Sequence, residues 1–253
     1  FTGSTPTGRA IMAAASDTLK KVFLELGGKS AAIVLDDADF GTAALFSAFS
    51  MVTHAGQGCA LTSRLLVPEQ HKDEIVELVK NNFGLVRFGN PADPSTYMGP
   101  LISAKQRDKV DGMVKRAVEA GATLVTGGGE KVDPGYFYSP TLLADVDPPD
   151  SEIAQEEVFG PVLAVISYTD DDDAVRIANN SIYGLSGAVF GSQDRALAVA
   201  RRFRTGTFSI NGGNYFSPDS PFGGFKQSGI GREMGKAGLE EFLEAKTYAT
   251  VVS

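Results

Sequence analysis

The chain has 253 residues, 43% of them hydrophobic and 21% charged, which predicts a globular protein of one large domain or two small ones. Its formal net charge of −8 argues against a nucleic-acid partner, because phosphates require a basic surface. No apolar run approaches the roughly 20 residues of a membrane-spanning helix, so we expect no membrane association. The single cysteine excludes an internal disulfide and favours a cytoplasmic location.

The first half of the chain alternates predicted helices and strands. Ser4, Thr5 and Pro6 are typical of a helix cap with proline in the first turn, and apolar residues then recur at near-helical spacing over residues 6–23. A buried strand is predicted over residues 30–35, ended by two aspartates. The elements predicted next are helices at 40–51, 69–82 and 103–120 and strands at 64–67 and 123–125.

Two motifs could bind ions, and we interpret both as structural. The glycine triplet at residues 127–129 could hold a phosphate, but no helix start with a lysine and a hydroxyl follows it. We therefore predict a surface turn there. The four aspartates at residues 170–173 could bind a cation, but they open a predicted helix through 174–178. Acidic side chains at that position complement the helix dipole.

The second half of the chain continues the alternation. The strands predicted there are 136–143, 162–168, 188–191 and 207–211, with a helix ending at residue 204, a charged helix at 232–244 and a tail strand at 247–252. This order predicts an α/β fold in which a mainly parallel sheet is flanked by helices on both faces. The tail strand has no partner close in sequence, so we expect an exposed edge.

The only cysteine, Cys59, lies in the stretch GQGCALTSR at residues 56–64. A thiol is a strong nucleophile only as the thiolate, so a reactive cysteine needs backbone N–H donors, a nearby base or a helix N-terminus. Gly56 and Gly58 let the backbone bend around a small substrate, and Gly58 leaves room beside the sulfur. Taken alone, Cys59 is more typical of a buried small apolar residue, and only its neighbouring motifs favour a nucleophile.

Glu25 lies between two leucines in the stretch LELGGKS at residues 24–30. Partial burial would raise the pKa of its carboxyl group and suit it to general-base catalysis near neutral pH. The alternative is a solvated glutamate that precedes a Gly-Gly helix stop.

Three further stretches complete a pattern: FTGST at 1–5, EEVFGPV at 156–162 and SPFGGFKQSG at 220–229. Together with the stretches around Glu25 and Cys59, and in this order, they resemble the aldehyde dehydrogenase superfamily over essentially the whole chain.

The resemblance implies a domain organisation. Residues 1–26 would be the C-terminal remnant of a dinucleotide-binding domain, 27–227 the catalytic domain, and 228–253 a C-terminal helix and oligomerisation strand. The full-length protein would be a homo-oligomer, a dimer or a tetramer.

The resemblance also implies roles for individual residues. Cys59 would attack an aldehyde, NAD or NADP would accept the hydride, and Glu25 would activate the water that hydrolyses the resulting thioester. The residues implied in cofactor binding are Gly3, Ser4, Gly27, Glu157 and Phe159. The aromatic residues implied in the substrate tunnel are Phe216 and Phe222. No metal is implied.

Other interpretations of these residues remain open. Glu157 could be a helix-end charge, and the phenylalanines could be core residues. A cofactor-independent cysteine esterase or thioesterase could use Cys59 and Glu25, and a catalytically silent interaction fragment is a third possibility. His54 could serve a Cys–His hydrolase, but no Asn or Asp is placed to orient it, and the spacing of His54 and His71 does not suggest a metal pair. The motifs at Glu157 and residues 3–4 favour the dehydrogenase, because a hydrolase has no use for ribose or pyrophosphate contacts.

The family's oxyanion asparagine, its cofactor-positioning lysine and the segment that selects NAD or NADP would all precede Phe1. We therefore expect an incomplete cofactor site in which Gly3, Ser4, Glu157 and Phe159 face solvent. The expected consequences are negligible NAD affinity, no aldehyde oxidation by this chain alone and slow ester hydrolysis by Cys59. Self-association through the exposed face is also expected.

Overall fold

The computed structural model describes residues 1–129 and 134–251. Its helices are α1 (Thr5–Ser16), α2 (Phe40–Val52), α3 (Lys72–Gly84), α4 (Ala104–Glu119), α5 (Glu152–Gln155), α6 (Asp171–Asn179), α7 (Gln193–Ala200) and α8 (Gly235–Glu240). Its strands are β1 (Leu24–Glu25), β2 (Ala31–Val34), β3 (Arg64–Pro68), β4 (Thr123–Thr126), β5 (Thr141–Ala144), β6 (Val162–Tyr168), β7 (Tyr183–Gly184), β8 (Ser186–Phe190), β9 (Thr207–Ile210), β10 (Phe225–Lys226) and β11 (Gly229–Ile230).

Seven strands form one sheet in the order β4-β5-β6-β3-β2-β8-β9. All its strand pairs are parallel except the edge pair of β4 and β5. The interior strand β2 is buried along its whole length, as its uninterrupted apolar sequence requires in a parallel sheet covered on both sides. The predicted α/β fold with a mainly parallel sheet is confirmed.

Three loops that carry the predicted site residues lie together at the amino-terminal ends of adjacent strands of this sheet. They are 27–30 before β2, 56–63 before β3 and 156–161 before β6. Ala31 of β2 is in register with Arg64 of β3, which is in register with Ala164 of β6. Because the three strands are parallel and adjacent, the loops that precede them lie together at the amino-terminal ends of the strands. Ligands of open α/β sheets usually bind at the carboxyl-terminal ends of the strands, so this general rule would have placed the site at the opposite end.

A small set of extended segments fixes the backbone around Glu25. Strand β1 pairs with β11 in antiparallel register, Glu25 opposite Gly229, and Thr2 bridges to Glu25 from the other side. The Gly3 N–H donates to the Glu25 carbonyl at 3.0 Å, and the Glu25 N–H donates to the Phe1 carbonyl at 2.9 Å. The pairing of β1 with β11 joins the first and third segments of the predicted domain division, whose boundaries stay a prediction.

Several predicted helices are shorter in the structure. Helix α1 ends at Ser16 instead of residue 23, because Leu19 adopts a left-handed backbone (φ 51°) and leaves its side chain 91% exposed. Helix α7 ends at Ala200 rather than 204. The charged helix predicted at 232–244 is formed only over Gly235–Glu240, and it starts directly after Met234, which also has a positive φ.

One predicted strand is shorter in the structure, and another does not form. The strand predicted at 136–143 begins only at Thr141, because Pro140 has no N–H to donate to a neighbouring strand. Residues 247–251 form no strand, and Tyr248 and Val251 are 78% and 96% exposed. An isolated extended segment has no ladder to satisfy its backbone, so a tail strand requires a partner. Val252 lies outside the described residues.

The two motifs that could have bound ions have structural roles. Asp170 caps α6 by accepting from the Asp173 N–H at 2.8 Å, which confirms the predicted helix start. All three residues of the glycine triplet 127–129 have positive φ, and Gly128 donates its N–H to the Thr141 hydroxyl, as a tight turn requires. Residues 130–133 lie outside the description. Among the helices described, none has the length and apolar character needed to cross a bilayer.

Candidate active site

The loop that carries Cys59 begins with a left-handed turn. Residues 54–56 have φ values of 52°, 55° and 72°, so the chain reverses sharply after α2. The Gln57 side chain supports this turn. Its amide donates to the His54 carbonyl at 3.1 Å, and its oxygen accepts from the Ile102 N–H at 3.0 Å. Consecutive left-handed residues are costly, and such strain is often found at functional sites.

Of the two glycines before Cys59, Gly56 is the one that the turn requires. It combines positive φ with close contact to the backbone of Gly160, which a Cβ atom would overlap. A Cβ on Gly58 would meet the Leu61 side chain at 2.9 Å, a flexible group that can move. Gly56 therefore fixes the Cys59 loop against the segment that carries Glu157.

The Gly27–Gly28 pair brings Glu157 and Cys59 together. A Cβ on Gly27 would lie 2.5 Å from Glu157 Oε2, and a Cβ on Gly28 would overlap the Cys59 carbonyl. The Gly28 N–H donates to Glu157 Oε1 at 2.9 Å. Both glycines are therefore needed because the backbone approaches its neighbours too closely for a side chain, and not because a turn requires a positive φ.

Glu25 is buried, with 2% exposure, and its carboxyl group packs over Gly223, where a Cβ would lie 2.9 Å from Oε1. Neither carboxyl oxygen has a hydrogen-bond partner among the described residues. Burial, aided by the charge of Glu233 and opposed by Arg232, raises the pKa of Glu25 to about 7. The carboxyl group is thus half ionised near neutral pH, as a general base should be.

The surroundings of Cys59 disfavour its thiolate. The Cys59 side chain is partly buried, and this loss of solvent raises the pKa of the thiol. The negative charges of Glu157 and, to a smaller extent, Glu25 raise the pKa further. Both carboxyl groups therefore lie near enough to act on the sulfur electrostatically. These surroundings therefore favour the thiol over the thiolate, and the thiolate fraction should grow as the pH rises.

A cavity of about 460 Å³ collects most of the predicted site residues. Its lining includes Gly3, Ser4, Gly27, Cys59, Glu157 and Phe159. Glu25 lies next to Leu26, which also lines this cavity. The expectation that four of these residues face solvent holds for Gly3 and Ser4 and was wrong for Glu157 and Phe159. Those two residues are half-buried, and the Gly27–Gly28 backbone lies directly against the Glu157 carboxyl group.

Two residues of α4 that sequence reasoning missed also line the cavity. Gln106 donates to the carbonyls of Val158 (3.0 Å) and Phe159 (2.8 Å), and Lys109 donates to the Glu157 carbonyl at 2.9 Å. These bonds hold Phe159 in a left-handed conformation, φ 59°, which is strained for a bulky residue. The spacing of i and i+3 on a helix indicates a shared face, but it does not indicate what that face contacts.

Phe216 and Phe222 stack on each other away from this cavity, with ring centroids 5.2 Å apart. Phe216 is 50% exposed and lines a second cavity of about 240 Å³, whereas Phe222 is buried behind it. The structure therefore brings the two phenylalanines together but places only Phe216 on a cavity wall. Their roles in substrate binding stay predictions.

The arginine that ends the Cys59 stretch anchors the loop. Arg64 is buried and donates to the carbonyls of Lys29, Ile177 and Ala178 at 2.9–3.1 Å. The last two belong to the C-terminal end of α6, where a cation complements the helix dipole.

The Lys29 ammonium is also buried, which lowers its pKa to about 7. No hydrogen-bond partner for it lies in the described part of the chain.

Over residues 1–129 and 134–251, no three His, Cys, Asp or Glu side chains are arranged to hold an ion.

Comparison with known proteins gives a consistent result. The profile of the "Aldehyde dehydrogenase family" matches residues 1–248. A Staphylococcus saprophyticus protein named as an aldehyde dehydrogenase is 49% identical in an alignment of 253 positions that covers 98% of this chain and 53% of the relative. The chain thus spans about half the length of the curated relatives that it matches.

Solved structures agree. An aldehyde dehydrogenase of Mycobacterium tuberculosis complexed with NAD+ superposes with a TM-score of 0.93 at 48% identity, covering 96% of this chain and 50% of that one. A mutant aldehyde dehydrogenase of Pseudomonas syringae, complexed with NAD+ and octanal, has a TM-score of 0.93 at 39% identity with the same coverage.

Proposed function

Because the chain belongs to the aldehyde dehydrogenase family, as its five motifs predicted, we propose that its site oxidises an aldehyde to a carboxylic acid with NAD. The observation that carries the proposal is the single cavity shared by Cys59, Glu157, Phe159 and the residues 3–4 before α1. An oxidation through a cysteine adduct requires the nucleophile and the hydride acceptor side by side, and this cavity has room for both.

The first step belongs to Cys59. Its sulfur, as thiolate, attacks the aldehyde carbon, a C–S bond forms, and the carbonyl oxygen becomes an oxyanion that the Cys59 N–H can stabilise. Bound NAD would supply the hydride acceptor, and loss of hydride from this carbon would leave a thioester on Cys59. Because the pKa of Cys59 is raised, the thiolate is scarce at neutral pH, and the attack on the aldehyde should be faster at higher pH.

The last step belongs to Glu25. Its carboxylate takes a proton from water, the resulting hydroxide attacks the thioester carbon, and the C–S bond breaks to release the acid and the Cys59 thiolate. A base with a pKa of about 7 is ionised often enough to act at neutral pH and basic enough to deprotonate water in the transition state.

The residues of the cavity fit the reactive half of the cofactor. The Glu157 carboxyl is oriented by the Gly28 N–H, and would accept from ribose hydroxyls. Phe159 would pack against the nicotinamide. Ser4 caps the 12-residue helix α1, whose N-terminus suits a pyrophosphate. The solved structures described above are NAD complexes, which supports NAD over NADP.

We expect NAD to bind this chain with a dissociation constant no better than about millimolar. The cavity extends from Cys59 to Gly3 and Ser4, which are exposed, so the adenosine half of the cofactor would gain few contacts with the described residues. Isothermal titration with NAD tests this expectation. Micromolar binding would show that the chain holds the whole dinucleotide.

A cofactor-independent cysteine esterase is the second candidate, because ester hydrolysis needs only a nucleophile and a base, and the charge of Glu25 acts on the Cys59 thiol. An esterase would have no use for the ordered Glu157 carboxyl in the same cavity. An effect of NAD on the reactivity of Cys59 separates the two functions.

We also propose that the full-length protein is a cytoplasmic homo-oligomer. The exposed apolar residues near the end of the chain, among them Phe242, Tyr248 and Val251, support an interface there. A monomer in sedimentation velocity at all concentrations would contradict it for this chain.

A further inference from the structure

The segment of residues 223–231 holds Glu25 from two sides. Its strand β11 pairs with β1, the strand that ends in Glu25, and the Leu26 N–H donates to the Ser228 carbonyl at 2.9 Å. At the start of the segment, Gly223 lies against the Glu25 carboxyl group. The backbone and the side chain of the proposed base are therefore both held by this one segment.

Arg232 joins the two ends of the 223–231 segment. Its Nη1 donates to the Gly224 carbonyl at 3.1 Å, near the start of the segment, and to the Gly231 carbonyl at 2.7 Å, at its end. The guanidinium carbon also lies 5.5 Å from the centroid of the Phe225 ring, within the range of a cation–π contact. One side chain thus closes the segment that holds the base.

The same side chain places a positive charge beside the Glu25 carboxyl group. A Cβ atom on Gly223 would lie 2.9 Å from Arg232 Cδ and 2.9 Å from Glu25 Oε1, so both side chains approach the same point. Among the described residues neither Glu25 oxygen has a hydrogen-bond partner, and Arg232 Nη1 donates to carbonyls instead. The guanidinium therefore acts on Glu25 through its charge, without the direct ion pair that would keep the carboxylate from taking up a proton.

The charges near Glu25 oppose one another. Burial raises the pKa of Glu25 most, the charge of Glu233 raises it further, and Arg232 and then the Phe1 amino group lower it. The charge of Glu25 in turn acts on the Cys59 thiol. Arg232 is therefore the stronger of the two cations that favour the ionised base.

We propose that Arg232 is a positioning residue for the hydrolysis of the acyl group, because it closes the 223–231 segment against Glu25 and supplies the cation that faces the Glu25 carboxylate. It acts through Glu25 and does not line the cavity that contains Cys59. Without the Arg232 charge, more of the Glu25 carboxyl group is protonated at neutral pH, and a protonated carboxyl group cannot accept a proton from water. The inference rests on the proposed function, since it requires Glu25 to act as the base.

The pH dependence of acyl hydrolysis tests the inference on this chain without cofactor. Cys59 is acetylated with p-nitrophenyl acetate at about pH 5, at which Glu25 is protonated and hydrolysis is slow. Excess ester is removed, the pH is raised, and loss of the acetyl group is followed by intact mass. The rate in Glu25→Gln is subtracted at each pH. We expect an inflection at about pH 7 in the unaltered protein and at about pH 8 in Arg232→Gln, because a nearby cation lowers a carboxyl pKa by about 1 or more.

Three further variants assign the shift to the charge of Arg232. Arg232→Lys keeps a cation and should return the inflection to near pH 7. Arg232→Met has no charge, should shift the inflection as Arg232→Gln does, and carries the test if Arg232→Gln does not fold. Arg201→Gln removes an exposed arginine at the end of α7 and should leave the inflection unchanged. Acylation of Cys59 should proceed in every variant, because Arg232 acts on the base and not on the nucleophile.

An inflection that stays near pH 7 in the neutral variants, or one that Arg232→Lys does not restore, would overturn the inference. If Glu25→Gln hydrolyses the acetyl group as fast as the unaltered protein, Glu25 is not the base, and the inference falls with the last step of the proposed function. An unshifted inflection that Glu25→Gln still abolishes leaves the proposed function intact, so the two failures are distinguishable.

Discussion

Replacing Cys59 by alanine should abolish acyl transfer, lowering the rate of acylation by p-nitrophenyl acetate at least about a thousandfold. The reason is chemical, because no other side chain of the cavity offers a comparable nucleophile. Release of p-nitrophenolate measures the rate, and peptide mapping in a Glu25→Gln background, which retains the acyl group, locates it: Glu25→Gln should carry one acetyl group on Cys59, and the double variant with Cys59→Ala none.

The same variant should remain folded. Cys59 is only half-buried, and its removal leaves no unpaired polar group. Urea unfolding should shift by no more than about 1 kcal/mol. Acetylation that persists at its original rate in Cys59→Ala would place the nucleophile elsewhere.

Replacing Glu25 by glutamine should separate the two halves of the reaction. Acylation of Cys59 should persist, whereas hydrolysis of the acyl group should slow by about 10²–10⁴, the usual contribution of a general base. Acyl protein therefore accumulates after a burst. Stopped-flow release of p-nitrophenolate together with intact mass measures both halves. Glu77→Gln, on the exposed surface of α3, is the matched control and should behave like the unaltered protein.

The pH dependence of this hydrolysis has a defined sign. Glu25 acts as carboxylate, and its pKa is raised to about 7, so hydrolysis should fall as pH decreases through about 7. In Glu25→Gln the inflection near pH 7 should disappear. Steady-state turnover that is unchanged in the variant, or an inflection that remains, would remove Glu25 from the mechanism.

The fold was predictable wherever burial decided the structure. Strand β6 has the predicted bounds of residues 162–168, because a continuous apolar run is stable only in a strand that is covered on both faces of the sheet. The charged helix around α8 and the tail at 247–251 were overestimated, since helical spacing and β-rich composition do not form an element that has nothing to pack on. Their apolar side chains, such as Leu239 and Phe242, stay exposed.

The site was predictable where a motif carries the geometry. The stretches around Cys59, Glu25 and Glu157 converge because the loops containing Cys59 and Glu157, and the Gly-Gly loop after Glu25, precede adjacent parallel strands. Gln106 and Lys109 were not found, because their contacts are with backbone carbonyls, which leave no pattern in the sequence. The direction of the Cys59 pKa shift also required the structure, since it depends on two carboxyl groups distant in sequence.

Cys59 should lie at the nicotinamide end of a cofactor cavity, and competition between NAD and an alkylating reagent tests this most directly. The rate of Cys59 alkylation by iodoacetamide is measured by mass spectrometry, with NAD at concentrations well above millimolar or with adenosine monophosphate, which lacks the nicotinamide. NAD should change the rate several-fold, and adenosine monophosphate should not. Glu157→Gln should abolish the NAD effect, whereas Glu156→Gln, the exposed neighbour, should retain it. If NAD leaves the alkylation of Cys59 unchanged while esters still acylate it, the cavity is not a cofactor site and the esterase alternative stands.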